Sequence, residues 1–256
     1  GGLGFLVLVE LKRLFFSPKN PRQVRRLSVH SKLVLSLSFI LLFTGTLGFI
    51  ILEWRSSMVG LSVPTKLISS FFQSVTTRTA GFNTLDFSKM ANVTLLFSIF
   101  LMFIGAASGS TGGGIKVNTL GVLFALSRSR LRGEETTNIF RRTLTPASVG
   151  RAIAVFAVSV VVISIATTAL MASELGTTPH GESRGLFLEF LFEIVSAFGT
   201  VGLSVGVTRT LSTMGKVIII LVMFIGRLGP LSIALALSRR PSRARYRYAE
   251  ENVMIG

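Results

Sequence analysis

The sequence predicts an all-α membrane protein that contains the same structural unit twice. Each unit consists of a span, a short helix, a loop and a second span. Three uncharged runs, residues 33–52, 90–115 and 152–173, reach bilayer length, since about 20 apolar residues cross a hydrocarbon core as helix. A fourth run, 217–238, is uncharged except for Arg227. Core helices of a large soluble protein are the alternative, but soluble domains of this length do not carry such runs. The distribution of charge and an internal repeat support the membrane interpretation.

The positive charge predicts which loops are cytoplasmic. The net charge is +16, and eighteen of the 27 Lys and Arg residues lie in segments 12–32, 128–151 and 239–247. The intervening loops, 53–89 and 174–216, hold only seven. This asymmetry is typical of the positive-inside rule, so we expect the basic segments in the cytoplasm and no nucleic-acid partner. The chain has no cysteine, which excludes disulfides and thiolate metal sites.

The internal repeat has a fixed offset. "MFIGAASG" begins at Met102 and "MFIGRLGP" begins at Met223, 121 residues later. The same offset places Thr79 on Thr200 and Gly81 on Gly202. The first copy contains a span (33–52), a short apolar segment (67–77), a loop (78–84) and a second span from about residue 90; the second copy contains the corresponding segments 152–173, 185–197, 198–204 and 214–238.

The short segments predict a pore loop in each copy. Both flanking spans reach a basic loop, so a short segment must enter the membrane and leave it on the outer side. At about 1.5 Å per residue, such a segment reaches only the middle of the bilayer. Non-helical backbone is tolerated at that depth only where it lines water or is buried in protein.

The T-x-G loops have the chemistry of a cation filter. Extended backbone there would direct carbonyl oxygens at an axis, and glycine permits the required backbone angles. Rings of such carbonyls replace the hydration shell of K⁺, and the C-terminal ends of the short helices favour a cation. The sequence thus predicts a pore architecture like that of K⁺ channels, with K⁺ at the filter as its only metal. The predicted filter residues are Thr77, Arg78, Thr79, Ala80, Gly81, Phe198, Gly199, Thr200, Val201 and Gly202.

These loops carry a family resemblance. "TTRTAGFNT", "GSTGGGIKVNT" and "AFGTVGLS" resemble the third and fourth filter regions of the Ktr/Trk/HKT superfamily of potassium transporters. The ending "RYRYAEENVMIG" and the compact loops are most similar to the bacterial Ktr-type membrane subunit. In that family four repeats surround one pore, with one key glycine in each filter loop. The resemblance implies that Gly81 and Gly202 are the third and fourth of these glycines.

The start of the chain predicts its place in such a protein. "GGLGFLVLVEL" from Gly1 matches "GRLGPLSIALA" from Gly226, so we expect the C-terminal part of a longer protein. Five parts follow: 1–32, the end of a preceding repeat's second span and a basic cytoplasmic loop; 33–127, the third pore repeat; 128–149, a cytoplasmic loop; 150–238, the fourth pore repeat; and 239–256, a cytoplasmic tail.

The stretch "GAASGSTGGGIK" interrupts the span 90–115. Glycine costs nearly 1 kcal/mol per residue in a helix relative to alanine, so a continuous helix is not expected. Close helix packing through small residues is one interpretation; an intramembrane loop that obstructs the pore is the other, and the resemblance implies a gating loop here. The predicted gate comprises Gly105, Ala106, Ala107, Ser108, Gly109, Ser110, Thr111, Gly112, Gly113, Gly114 and Lys116, together with Arg227.

Arg227 aligns with Ala106 in the repeat. A charge near the middle of a bilayer normally faces a water-filled interior, which favours a position in the pore. A structural ion pair would need Glu189 or Glu193 as partner. The resemblance implies an arginine below the filter that limits the passage of ions.

The sequence therefore predicts K⁺-selective uptake by a multi-pass membrane protein, either as gated conduction or as ion-coupled symport, and the resemblance implies that the membrane is the bacterial cytoplasmic membrane. A non-conducting scaffold and a membrane-embedded enzyme are the alternatives. We expect no enzyme, because the spans lack paired Asp, a Ser/His pair and His/Glu metal ligands. We expect no covalently bound cofactor, and K⁺ or Na⁺ as the transported or coupling ion.

The resemblance also implies partners. These are the missing N-terminal repeats of the same protein, a second copy in a homodimer, and a cytoplasmic RCK-type ring of nucleotide-binding regulatory subunits (KtrA-like). Membrane lipids are a further partner. Attraction to anionic headgroups would explain the basic segments without a protein ring. The sequence leaves these two explanations of the basic segments open.

Overall fold

The computed structural model describes residues 2–16, 27–179 and 181–229. Within these ranges the chain is helical apart from loops and one two-stranded hairpin, which agrees with the predicted all-α fold. The helices are α1 (Phe5–Phe16), α2 (Val29–Glu53), α3 (Val63–Thr76), α4 (Asn92–Phe103), α5 (Val117–Leu131), α6 (Pro146–Leu175), α7 (Leu186–Phe198) and α8 (Thr213–Leu228). The strands are β1 (Asn138–Ile139) and β2 (Arg142–Thr143), and 3₁₀ turns occupy Phe87–Lys89 and Val207–Arg209.

Two helices in the described part of the chain, α2 and α6, are long and apolar enough to cross a membrane. They have 25 and 30 residues, or about 38 and 45 Å at 1.5 Å per residue. Both exceed the hydrocarbon thickness of about 30 Å. They contain the predicted outer spans 33–52 and 152–173, so the first span of each repeat has sufficient length.

The second span of the first repeat is interrupted, as the glycine-rich stretch predicts. Helix α4 ends at Phe103, residues 104–116 are not helical, and the chain resumes as α5 at Val117. Helix packing through small residues does not describe this stretch, because no helix is present there. The hairpin between α5 and α6 was not predicted from the sequence.

The two short helices differ in burial. Helix α3 begins four residues before the predicted segment, because Ser62 caps its N-terminus and Pro64 occupies the first turn. It leaves Ile68 and Phe71 more than half exposed. Helix α7 instead lies inside the core, and every residue from Phe192 to Phe198 is buried.

The main core surrounds α7, which packs against α4, α6 and α8. Its largest fully buried side chains include Met102, Leu170 and Phe198, and the rings of Phe87 and Phe192 lie 5.4 Å apart. Helix α8 is described as far as Leu228. The remainder of the predicted span 217–238, the tail 239–256 and part of the basic segment 12–32 lie outside the described residues.

Equivalent glutamates join the two spans within each repeat. Glu53, at the end of α2, is fully buried and accepts hydrogen bonds from Thr94 Oγ1 and from the Ala91 amide (3.1 Å) at the start of α4. Glu174, near the end of α6, accepts from the amide (3.1 Å) and hydroxyl (2.6 Å) of Ser212 before α8. The two glutamates are 121 residues apart, which is the offset of the repeat. The two spans of each repeat are therefore joined by the same type of contact.

A candidate ion filter and gate

The two T-x-G loops have the same unusual backbone. Thr79 and Gly81 have φ values of 65° and 78°, and Thr200 and Gly202 have φ values of 50° and 88°. The residue between each pair does not have a positive φ. Left-handed residues at every second position distinguish both loops from a regular strand, in which all residues lie in the β region. A β-branched threonine in the left-handed region is a genuine outlier, which marks both loops as functional candidates.

The amide groups of both loops bond back to the short helices. The Ala80 amide donates to the Thr76 carbonyl (3.2 Å), and the Val201 amide donates to the Ser196 carbonyl (2.9 Å). No hydrogen bond in the described part of the chain reaches the carbonyl oxygens of residues 77–81 or 198–202. Within the described ranges these oxygens are therefore left without a protein donor.

Side chains of the short helices hold the outer end of each loop. Thr76 Oγ1 donates to the Phe82 carbonyl, and Ser196 Oγ donates to the Leu203 carbonyl (2.6 Å). Phe82 and Leu203 are equivalent in the repeat, 121 residues apart. The carbonyls that follow Gly81 and Gly202 are therefore satisfied by the protein, whereas those of the filter residues are not.

Two buried side chains extend this support: Gln73, which the sequence did not single out, and Glu193, which it offered only as a possible partner of Arg227. Gln73 Nε2 donates to the Leu85 carbonyl (3.3 Å). Glu193 accepts from the Ser204 hydroxyl (2.6 Å), the Val205 amide (3.1 Å) and Thr208 Oγ1. Glu193 thus forms its hydrogen bonds with the segment that follows the second filter loop, and it does not pair with Arg227. Gln73 and Glu193 lie 120 residues apart, whereas the filter loops repeat at 121 residues. A comparison of the two repeats at an offset of 120 would have aligned these two side chains.

The structure brings the two filter loops together. A Cβ atom on Gly81 would overlap the Val201 carbonyl oxygen, and a Cβ atom on Gly202 would lie 3.6 Å from the Gly81 Cα. Glycine at position 81 is therefore required by close approach of the neighbouring loop as well as by its positive φ. The two predicted filter segments line one site.

The glycine-rich segment Gly105–Lys116, here called the gate loop, packs directly against this site. A Cβ atom on Gly112 would lie 2.5 Å from Thr79 Oγ1, and one on Gly113 would lie 2.7 Å from Thr200 Oγ1. The Gly113 amide donates to Thr200 Oγ1 (2.8 Å). The loop thus touches both filter threonines, and residues larger than glycine at 112 and 113 would displace it.

The ends of the gate loop are held by backbone bonds. The Gly105 amide donates to the Ile115 carbonyl (2.8 Å) and closes the loop at its base. The Ala107 amide donates to the Gly2 carbonyl (2.9 Å), and the Phe5 amide donates to the Gly109 carbonyl (3.2 Å). The start of α1 therefore forms part of the surface on which the loop rests.

Two cations hold consecutive carbonyls of the gate loop. Arg227 Nη1, on α8, donates to the Thr111 carbonyl, and Lys116 Nζ donates to the Gly112 carbonyl. The two charges are close enough to repel each other. Arg227 contacts a carbonyl and forms no ion pair with an acidic residue in the described ranges, which removes the structural pairing with Glu189 or Glu193 as an interpretation.

Arg78 has a different role from that of the other filter residues. Its guanidinium donates to the Ser38 hydroxyl (3.2 Å) and to the Ser38 carbonyl (3.4 Å) of α2. The side chain therefore ties the third filter loop to the outer span, while its backbone stays within the loop.

Comparison with known proteins gives the family. The family described as cation transport protein (TrkH) matches residues 13–248. The chain is 39% identical to Ktr system potassium uptake protein B of Bacillus subtilis and 36% identical to potassium/sodium uptake protein NtpJ of Enterococcus hirae. Both alignments cover 100% of this chain but only 54% and 55% of those proteins. The chain thus spans about half the length of these relatives.

A solved structure supports the fold. The potassium transporter TrkH from Vibrio parahaemolyticus superposes with a TM-score of 0.66 at 19% sequence identity, covering 94% of this chain and 51% of that one. These matched proteins are transporters, which counts against the enzyme alternative. The resemblance inferred from the filter loops is confirmed: the chain belongs to the TrkH family of cation transport proteins.

Proposed function

We propose that the chain forms half of a K⁺-selective uptake pore. The observation that carries this proposal is the pair of equivalent loops with alternating left-handed residues, whose carbonyl oxygens accept no hydrogen bond in the described part of the chain. We infer that this backbone turns the carbonyls toward the ion path. Carbonyl rings of this kind replace the hydration shell of K⁺. The names of the B. subtilis and E. hirae relatives, which refer to uptake of potassium and of potassium/sodium, support the same class of cargo.

The gate loop obstructs this pore on the inner side of the filter. The proposal rests on its contacts with Thr79 and Thr200 and on the two cations that hold it. A cation leaving the filter meets the loop and the charges of Arg227 and Lys116. Opening requires release of the Thr111 and Gly112 carbonyls from these side chains.

The protein crosses the bacterial cytoplasmic membrane several times and is completed by further repeats of the same polypeptide. Helix α3 exposes apolar side chains, among them Ile68 and Phe71, and the relatives are about twice as long as this chain. A neighbouring repeat packed on α3 would bury these residues. The further partners are a second copy of the protein, anionic lipids and an RCK-type regulatory ring. The basic loops are the surfaces that would contact the lipids and the ring.

The test is ion uptake by the natural protein in bacterial cells that lack their own K⁺ uptake systems. We expect growth at limiting K⁺ and uptake of K⁺ in preference to Na⁺. Gly202→Ser should reduce this preference while the amount of protein in the membrane stays unchanged. Uptake that does not distinguish the two ions in the wild type would contradict a K⁺ filter, and absence of uptake at normal expression would favour a scaffold.

A further inference from the structure

A cavity of about 500 Å³ lies on the outer side of the filter glycines. Gly81 and Gly202 both line it, so an ion that enters the proposed filter from outside must pass through this space. The walls are mostly polar and come from the loops that follow the two filters, including Asn83, Asp86, Ser204 and Arg209. We call this cavity the vestibule.

The vestibule carries one carboxylate and one guanidinium among its described lining residues, Asp86 and Arg209. Both side chains are exposed. The Ser88 amide (3.0 Å) and hydroxyl (2.7 Å) donate to Asp86 Oδ1. Asp86 Oδ2 accepts no hydrogen bond in the part of the chain that the structure describes, so it is open to a solvated ion.

The carboxylate remains ionised over the ordinary pH range. Hydrogen bonds from the Ser88 side chain, and next from its backbone amide, lower the pKa of Asp86, and the charge of nearby Lys89 acts in the same direction. Lys89 also offsets part of the negative field. The remaining field falls off within a Debye length, about 10 Å at 0.1 M salt.

Helix capping alone does not explain an aspartate at this position. Asp86 caps the 3₁₀ turn Phe87–Lys89. The corresponding turn of the second repeat, Val207–Arg209, begins at Gly206 and has no side-chain cap. Since the fold forms this turn without a cap in one repeat, the charge in the other repeat is available for another role.

We propose that Asp86 forms a binding site for a hydrated monovalent cation in the vestibule, and that it raises the local concentration of K⁺ at the filter entrance. Arg209 opposes this effect from the facing loop. The inference rests on the proposed function of the filter. A charge that concentrates a cation changes the concentration required for half-maximal uptake, whereas it does not change the maximal rate through the filter.

The test is the KM for K⁺ uptake at low and high ionic strength, with choline chloride as the added salt. Asp86→Asn retains capping ability, because asparagine is a good N-cap residue, and it removes only the charge. We expect a KM increase on the order of threefold at low ionic strength and an unchanged maximal rate. High salt should abolish the difference.

Two further variants make the test specific. Arg209→Gln should lower the KM at low ionic strength, in the direction opposite to Asp86→Asn. Glu182→Gln removes an exposed charge from another outer loop that does not line the vestibule, and its KM should equal that of the wild type.

A KM unaffected by Asp86→Asn at low salt would overturn the proposal, and so would a loss of maximal rate that is the same at both salt concentrations. Neither result would affect the filter assignment, since K⁺ would still be preferred. A wild-type protein without K⁺ preference would instead contradict the proposed function.

Discussion

Gly81 and Gly202 occupy equivalent positions in the two filter loops but differ in the space around their Cα atoms. Both have positive φ, yet a Cβ atom on Gly81 would overlap a carbonyl oxygen, whereas one on Gly202 would only reach van der Waals contact. We therefore expect Gly81→Ala to reduce K⁺/Na⁺ discrimination by about tenfold, since strain of 1–3 kcal/mol must be relieved by moving the filter. Gly202→Ala should reduce discrimination less.

The measurement is competitive uptake of K⁺ and Na⁺ per inserted protein. Gly60→Ala is the control, because Gly60 has a φ of 87° but no atom within 4 Å of an added Cβ. It introduces backbone strain without a contact, and selectivity should be unchanged. Equal effects of the alanine substitutions at positions 60 and 81 would argue against a filter role for Gly81.

At this scale the sequence predicts which glycines and threonines form the two loops, but it does not predict the left-handed backbone of the threonines. The repeat and the need for positive φ identify Gly81 and Gly202. Thr79 and Thr200 adopt the same left-handed region although β-branched residues disfavour it. Their conformation depends on tertiary contacts with the gate loop, such as the bond from the Gly113 amide to Thr200, which no local pattern encodes.

The gate loop is the element on which flux should depend most. A positive charge about 6 Å from the ion path, at an effective dielectric near 40, repels a cation by about 1.4 kcal/mol, or about tenfold in rate. Arg227→Gln also removes the bond to the Thr111 carbonyl. We expect Arg227→Gln and Lys116→Met each to raise K⁺ flux severalfold, and Arg227→Lys to remain close to the wild type.

The readout is K⁺ flux divided by the amount of protein in the membrane. Lys216→Met removes a cation from the exposed face of the same helix as Arg227, and its flux should match that of the wild type. Lower flux at normal expression in Arg227→Gln would refute the barrier role of this side chain.

The connection between the spans of each repeat is a second element that can be tested. Glu53 is buried with three donors, whereas Glu174 is partly exposed. Truncation of Glu53 leaves buried donors unsatisfied, so Glu53→Ala should lower the free energy of unfolding by about 3 kcal/mol. Glu174→Ala should have a smaller effect. Thermal unfolding in detergent measures both, and a larger loss for Glu174→Ala would contradict the account.

At the scale of the whole molecule, charge predicts the orientation. The chain contains no cysteine, so single cysteines can report the side of each loop. Thr178→Cys, after α6, should react with a membrane-impermeant maleimide in intact cells. Thr136→Cys, in the basic loop before the hairpin, should react only after permeabilisation. The reverse labelling pattern would contradict the assignment of the basic loops to the cytoplasm.

The sequence predicts the helical order of the molecule well because span length, charge asymmetry and repeat are long-range signals. It does not predict α5 as a helix of its own or the hairpin Asn138–Thr143, since both are short and lack strong periodicity. It places Arg227 near the gate but not on the Thr111 carbonyl, because this contact joins residues 116 positions apart.

The central claim is that the carbonyls of the two T-x-G loops coordinate K⁺. A crystal structure of the natural protein grown in Rb⁺, which substitutes for K⁺ and scatters anomalously, tests it most directly. We predict anomalous peaks within coordination distance of the carbonyl oxygens of Thr79, Gly81, Thr200 and Gly202, and their loss when Na⁺ replaces Rb⁺. Peaks elsewhere in the protein, with none at these carbonyls, would contradict the account.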